Sequence, residues 1–489
     1  MDASTGRSSL AGRAAAAVAL MIGFYVLALA VIGALLYIPY AEYVYAHRIS
    51  PRLAIACVIG ALAVLAAILP RRDKFEAPGP LLLPQDQREL FGVIEGVARD
   101  TGQAMPKEVY LVPDVNAFVT ERGGVMGVGS RRVMGIGLPL VQTLTVSEMR
   151  AVLAHEFGHF HHGDTALGPW IYVTRAAMVR TLVSLERSAL QLVFLWYWKA
   201  FLRITHAISR AQEFSADALA ARVAGPGALA SGLRKVAGAA AAHTAFLQEE
   251  VTPVIDAGLR PALVPGFPQY LQSRRVQGLV HVFVAVTVEK PVEDPYDTHP
   301  PLPRRLEALA RAASAAGATD DRPAVALLRS VERYEVPLLN ALAGSRRFSG
   351  RALVAWSDVG QLVHLPAWRR VAARYAAALR GVTPGSLPIP RERLVQMASR
   401  IATDKRDAGE LAARGAGAIA AAIAVHLDRC GWTLSCELGE PVIFRRGADE
   451  IRPFELPQQL VEGPFDAAAW QVLCARTEIG GADLGAVVV

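Results

Sequence analysis

The sequence predicts a mainly α protein of α+β class in three parts. These are an amino-terminal transmembrane helical hairpin, a helical domain with a small antiparallel sheet, and a separate α+β carboxy-terminal domain. Three observations carry this. Two uncharged apolar runs stand close together near the start; short β-type segments are confined to residues 108–136; and beyond a loop of small and acidic residues at 315–323 the chain turns to Ala-rich helix followed by a hairpin-like stretch. At 489 residues the chain has length for two or three domains, each with its own core.

Ala14 to Ile38 carries no charge and exceeds the ~20 residues that cross a bilayer. Leu53 to Leu69 is a second such run at the short end of the spanning range, closed by Pro70-Arg71-Arg72. A secretory leader would have an apolar core of only ~7–15 residues and no second apolar run close behind it. The spacing therefore predicts a hairpin over residues 1–72, with Pro39 to Arg52 as its loop and Tyr37, Tyr40, Tyr43 and Tyr45 at the interface. Arg7, Arg13, Arg71, Arg72 and Lys74 flank the pair, against Arg48 and Arg52 in the loop, which predicts a multi-pass inner-membrane protein with both ends and the following domain in the cytoplasm. The chain is 53% hydrophobic, 19% charged and of net charge +7. Its basic residues are scattered, so they fit a face near anionic lipid and give no nucleic-acid motif. Four cysteines form no disulfide framework; only Cys430 and Cys436 are placed to pair, were they exported.

After the anchor, Pro84 to Gly102 reads as an amphipathic helix. Glu108–Val112, Asn116–Thr120, Val125–Val128 and Val133–Ile136 read as strands of one antiparallel sheet. Leu411 to Val425 is apolar but mostly Ala and Gly, with Arg414 inside it, and reads as a packed helix.

The chemistry sits in His155-Glu156-Phe157-Gly158-His159. Thr145-Val146-Ser147-Glu148 has the form of a capping box, with an apolar run behind it and Gly163 where a helix would stop. His155 and His159 are then i and i+4 on one face, placed to ligate one Zn2+ per chain, and Glu156 is placed to take a proton from a water that the metal polarises. The pentapeptide alone arises by chance in roughly one such chain in a hundred, and the plain alternative is an amphipathic helix with surface histidines. A third ligand is needed. A metzincin would have Gly at 162 and His at 165, but His162 and Thr165 stand there. In Ser209 to Asp217, Glu213 and Asp217 share a helix face; Glu213 suits the metal and Asp217 suits the N–H of a ligating histidine. His161 and His162 read as helix-end residues.

These residues resemble the integral-membrane zinc peptidases of the HtpX-like and CAAX prenyl-protease type, which are gluzincins. The resemblance rests on Asn116-Ala117-Phe118, Val152 to His159, Ser209-Arg210 through Glu213 to Asp217, and Thr298-His299-Pro300-Pro301 with Arg305. It covers about residues 75–312 and makes 73–314 a zincin-type metallopeptidase domain, leaving 323–489 as a domain of no named kind. It implies His155, His159 and Glu213 as zinc ligands, Glu156 as general base, and Asn116 on an edge strand that takes up extended peptide. It also implies that His299 and Arg305 steady the oxyanion or hold nearby acids. Such proteins often carry two more spans between the His-Glu motif and the glutamate. Here Leu190 to Ile204, broken by Lys199 and Arg203, fits an interfacial helix as well as a span.

The function expected is endopeptidase action on membrane or membrane-proximal polypeptides, with substrate and bilayer as partners, no nucleic acid, and an oligomeric state left open. The alternative is a membrane-tethered scaffold with a non-catalytic protease fold. A prenyl-peptide protease would need a larger intramembrane chamber than two spans and one short helix build.

Overall fold

The computed structural model describes residues 3–69, 75–123, 129–160, 168–186, 188, 190–289, 299–312, 319–344, 348–401 and 407–486. Contacts divide the chain into two units, 1–240 with 282–342, and 241–281 with 343–489. The second unit therefore takes up a segment, 241–281, that the sequence places in the peptidase domain. The first unit in turn takes up 323–342.

In the first unit, α1 (Ala3–Ala46) and α2 (Pro51–Ile68) form the hairpin. Helix runs through Pro39 as far as Ala46, so the turn is shorter than Pro39–Arg52: it falls at 47–50, where Glu42 accepts from the Ser50 backbone N–H at 3.0 Å. The sheet contains β1 (Leu81–Leu82), β2 (Glu108–Val112), β3 (Ala117–Arg122) and β4 (Arg131–Gly137), in the order β1-β2-β4-β3. The expectation of an antiparallel sheet is corrected here. β4 enters between β2 and β3, running parallel to β2 and antiparallel to β3. The chain crosses between β2 and β4 by way of β3, a non-local pairing that period-2 patterns do not encode. The expected strand 125–128 lies outside the described residues.

Helix α3 (Arg88–Asp100) buries Leu90, Ile94, Val97 and Ala98, one amphipathic face. Next come α4 (Leu138–Thr143), α5 (Val146–Gly158), α6 (Gly168–Ser184), α7 (Leu190–Ala224) and α8 (Pro226–Ala245). Met21, Phe24 and Ala28 of α1 form one apolar cluster with Val64 and Ile68 of α2, Ala177 and Met178 of α6, and Phe194 and Phe201 of α7. Tyr197 donates its hydroxyl to the Leu20 carbonyl at 2.7 Å, over Gly23, where a Cβ would stand 2.5 Å from that hydroxyl. Leu190 to Ile204 thus packs along the hairpin, with Leu192, Val193 and Trp196 facing outward.

The chain passes through α9 (Thr252–Asp256), β5 (Arg260–Pro261) and α10 (Leu263–Gln272) into α11 (Arg274–Glu289) and α12 (Leu302–Ala310). The second unit continues beyond α13 (Glu335–Ala343) with β6 (Leu353–Val354), α14 (Leu365–Leu379), α15 (Arg391–Ser399) and α16 (Ala408–Arg429). It closes on β7 (Thr433–Ser435), β8 (Ile443–Arg446) and β9 (Asp449–Ile451), an antiparallel meander. Among the described residues three helices are long and apolar enough to cross a membrane: α1, α2 and α16. The first two have 22% and 28% of their apolar window buried, whereas α16 has 61%. Ala412, Ala416, Ile419 and Ile423 of α16 sit in the core cluster of the second unit with Leu379, Leu394 and Phe444. Its apolarity is used on protein, as the Arg414 inside it anticipates. The four cysteines are unpaired, Cys430 and Cys436 among them.

Candidate metal centre and active site

Helix α5 is placed by its first turn. Thr145 caps it, accepting from Glu148 N–H at 3.3 Å while Glu148 accepts from Thr145 N–H at 2.8 Å, the reciprocal box anticipated from the sequence. The two remaining first-turn donors go elsewhere: Val146 N–H to the Arg322 carbonyl at 2.9 Å, and Ser147 N–H to that of Asp320 at 3.0 Å. Segment 319–324 is therefore the cap of the site helix, which the loop composition of 315–323 did not disclose. Gln87, fully buried, clasps the chain a few residues further on by two bonds to the Arg329 backbone.

Glu148 also accepts from Ser231 Oγ at 2.6 Å and Lys235 Nζ at 2.8 Å on α8. Burial raises its carboxyl, but Lys235, Ser231 and the Thr145 N–H outweigh that and hold it below its ordinary 4.5. A lowered folded pKa stabilises above the unfolded value and is lost as pH falls through the folded one. Stability should therefore decline as pH drops from about 4.5, and Glu148→Gln should flatten that decline while costing ~1 kcal/mol at neutral pH. Denaturation midpoints across this range check it; identical acid limbs in the two proteins would refute it.

The helix ends at Gly158, earlier than the Gly163 expected, and His159 is its cap residue with φ −62° and ψ −15°. That conformation is still right-handed helical, so the i, i+4 relation survives: the two imidazole centroids lie 4.9 Å apart. His161, His162 and Gly163 fall outside the described residues.

Glu213 and Asp217 arrive on α7, which crosses α5 at Gly158. A Cβ on Gly158 would stand 2.8 Å from Ala216 Cα, so any larger residue would push the helices apart. This close approach is what delivers Glu213. Its Oε2 lies 3.5 Å from His155 Nε2 and its Oε1 3.6 Å from His159 Nε2. One donor atom from each of the three residues can be chosen so that all lie within 4.8 Å of one another. Glu213 Oε2 is buried and takes no hydrogen bond among the described residues. Such a carboxylate oxygen, ion-paired with Arg305 at 3.4 Å but without a hydrogen bond and beside two imidazole nitrogens, completes a donor set that fits a borderline cation such as zinc.

Around this triad, Asp217 Oδ1 stands 2.9 Å from His155 Nδ1. Arg305 on α12 donates to both Asp217 oxygens, Nε at 2.8 Å and a terminal nitrogen at 2.6 Å, and its other terminal nitrogen lies 3.4 Å from Glu213 Oε2. His299 Nδ1 is 3.1 Å from Glu213 Oε1, and its ring is exposed. Burial pulls the His155 ring down, yet Asp217 and Glu213 outweigh it and raise it to about 9. Burial takes His159 down to about 4, helped by the charge of His155. Desolvation pushes the Glu156 carboxyl up to about 7 against the pull of His155, and the charge of Glu213 adds to the rise. Glu213 and Asp217 are held low despite burial, the first by His155 and His299, the second by Arg305 and His155.

Asn116 immediately precedes β3, one of the two edge strands of the sheet; its carbonyl accepts from Gly137 N–H at 2.7 Å. The structure thus gathers His155, His159, Glu213, Asp217, His299 and Arg305 into one cluster, with Glu156 beside it on α5 and Asn116 at the head of that edge strand. Sequence reasoning gave no role to Gly158 or Ala216, and it missed the bonds of Glu148 to α8 and the cap at 320–322. Small residues inside the motif and inside Ser215-Ala216-Asp217 were the one local signal of a helix crossing.

Two imidazoles from one helix and a carboxylate from a second define a metallopeptidase-type donor set. Residues 84–313 match the model of Peptidase family M48. The chain is 25% identical over 265 residues to the "Protease HtpX homolog" of Desulfatibacillum aliphaticivorans, covering 49% of this chain and 74% of that one. It is 29% identical over 182 residues to the protein of that name in Moorella thermoacetica, with 32% and 58% covered. To that of Pyrococcus abyssi it is 31% identical over 172 residues, with 31% and 57% covered. The chain spans less than two thirds of the length of the latter two. Residues 84–313 carry the likeness to peptidase family M48, and the relatives matched there are HtpX homologues. No solved structure matches it.

Proposed function

We propose that the chain is a zinc-dependent endopeptidase of the gluzincin type, held in the membrane by α1 and α2, that hydrolyses membrane or membrane-proximal polypeptides on the cytoplasmic side. The observation that carries this is the buried Glu213 carboxylate facing His155 and His159, its Oε2 without a hydrogen bond, within residues that match a peptidase family. His155, His159 and Glu213 hold the metal. Bound there, zinc supplies a Lewis acid that polarises the scissile carbonyl and makes water a usable nucleophile near neutral pH. Glu156 takes the proton from the attacking water and returns it to the leaving amine. Asp217 Oδ1, 2.9 Å from His155 Nδ1, favours the proton on that nitrogen, so that Nε2 keeps its lone pair for the metal. Arg305 keeps Asp217 and Glu213 ionised and aimed, its fork already committed to Asp217. His299, exposed beside Glu213 at 3.1 Å, is assigned to the substrate carbonyl oxygen. The free edge of β3, led by Asn116, offers backbone N–H and C=O groups to an extended peptide.

Membrane placement rests on the low burial of α1 and α2, and orientation on the Lys/Arg count about them. The purified full chain should carry about one zinc per molecule and cleave an unfolded protein. Chelation should remove both properties and added zinc restore both. Cleavage that persisted in the metal-free chain would end this reading.

A further inference from the structure

Among the described residues, exposed large apolar side chains form two groups and a scatter. One group lies on α1, α2, α6 and the start of α7; the scatter is short surface positions such as Leu353 and Val472. The second group is on α11, where Leu279, Val282, Phe283 and Val286 are 57%, 59%, 45% and 50% exposed. Their i, i+3, i+4, i+7 spacing puts them on one helix face, as open as Leu29 of α1 and Ile59 of α2. A single exposed leucine is ordinary, but four on one face leave an apolar patch that water would have to cover. The opposite side offers little polarity either. From Val276 to Val288 only Gln277, Gly278, His281 and Thr287 interrupt the apolar run, and Val276 is its one buried member.

We infer that α11 is a third membrane contact, lying in the headgroup–acyl boundary of the bilayer with Leu279, Val282, Phe283 and Val286 turned into lipid. The length decides against a span: the apolar run is well short of the ~20 residues a crossing needs, whereas an interfacial helix needs no such length. Charge points to a lipid surface, since exposed Arg274 and Arg275 open the helix and suit anionic headgroups. The tether supplies the rest. In a chain anchored by α1 and α2 the bilayer is present at high effective concentration, so a modest patch is enough to engage it. This inference rests on the reading of α1 and α2 as membrane helices. It has a consequence for the site. The chain passes from one unit to the other within α11, and from α11 it leads on to His299. Lipid contact at α11 would tie that stretch to the membrane where the substrates lie.

Spin labels read this directly. The full chain, in a background with its cysteines replaced that keeps the parent's circular dichroism and thermal midpoint, is labelled singly at four positions. These are Phe283→Cys and, as a second position on the same face, Leu279→Cys; Leu62→Cys on α2; and Val472→Cys, exposed in the second unit. In vesicles of phosphatidylethanolamine and phosphatidylglycerol, collision with oxygen and with a water-soluble nickel chelate gives a depth parameter for each. The expected result is a positive parameter at 62, 279 and 283, shallower at the latter two, and a negative one at 472. Negative values at 279 and 283 with a positive value at 62 overturn the inference and leave the anchor standing. Labels at 279 and 283 shielded from both reagents would mean that protein, such as a second copy, covers the face, and that too overturns it. A negative value at 62 removes the anchor reading and the inference with it.

Discussion

Glu156→Gln is expected to abolish peptide hydrolysis, by ~10²–10⁴-fold, with zinc content unchanged. The glutamine fills the same volume and keeps a polar tip, so α5 and the two imidazoles stay in place. What it loses is the ability to accept a proton from water and hand it on. The proposed ligands His155, His159 and Glu213 are untouched, so metal analysis of the variant should match the parent. The contrasting change, Glu213→Gln, should lower metal content and activity together. Undiminished cleavage by Glu156→Gln would show that its carboxylate is not the base.

Arg305→Ala is expected to be the most destabilising single change in this cluster, by ~3–5 kcal/mol, because it leaves two buried carboxylates with one cationic partner fewer. Arg305 is 8% exposed, and Glu213 and Asp217 are 4% and 2% exposed, so water cannot readily replace the guanidinium. The alternative for Asp217 is to take up a proton, which would cost His155 its orienting acceptor. Arg305→Lys keeps the charge but cannot reproduce the two-pronged bond and should fall between the two. Thermal unfolding of the metal-free chain in detergent separates these cases, since metal would mask part of the loss. An alanine variant that unfolds no earlier than the parent would mean that Arg305 does not hold these acids.

Much of the site could be read in advance because it is local. His155 and His159 are one helical turn apart whatever the fold, and the Thr145–Glu148 box marks where that turn begins. The two apolar runs announced themselves by length, and Arg414 distinguished α16 from a span before any packing was visible. Other features escaped for equally physical reasons. The order β1-β2-β4-β3 depends on which strand enters between two others, and the cap of α5 comes from Asp320 and Arg322, more than 170 residues on. The hairpin turn came out shorter than Pro39–Arg52 because the end of the apolar run at Ile38, with Pro39 next, read as the start of a loop, while helical hydrogen bonding carried on past both.

The sequence alone therefore determined the family likeness, the helix that carries His155 and His159 and the two apolar runs, each written in spacing of a few residues or in the length of one run. Tertiary structure alone decided that Glu213 faces the histidines, that Asp217 and Arg305 back them, and that 319–324 caps their helix. These are contacts between elements distant in the chain. They exist because Gly158 lets α7 come within a backbone's reach of α5, and a distance of that kind has no period to read.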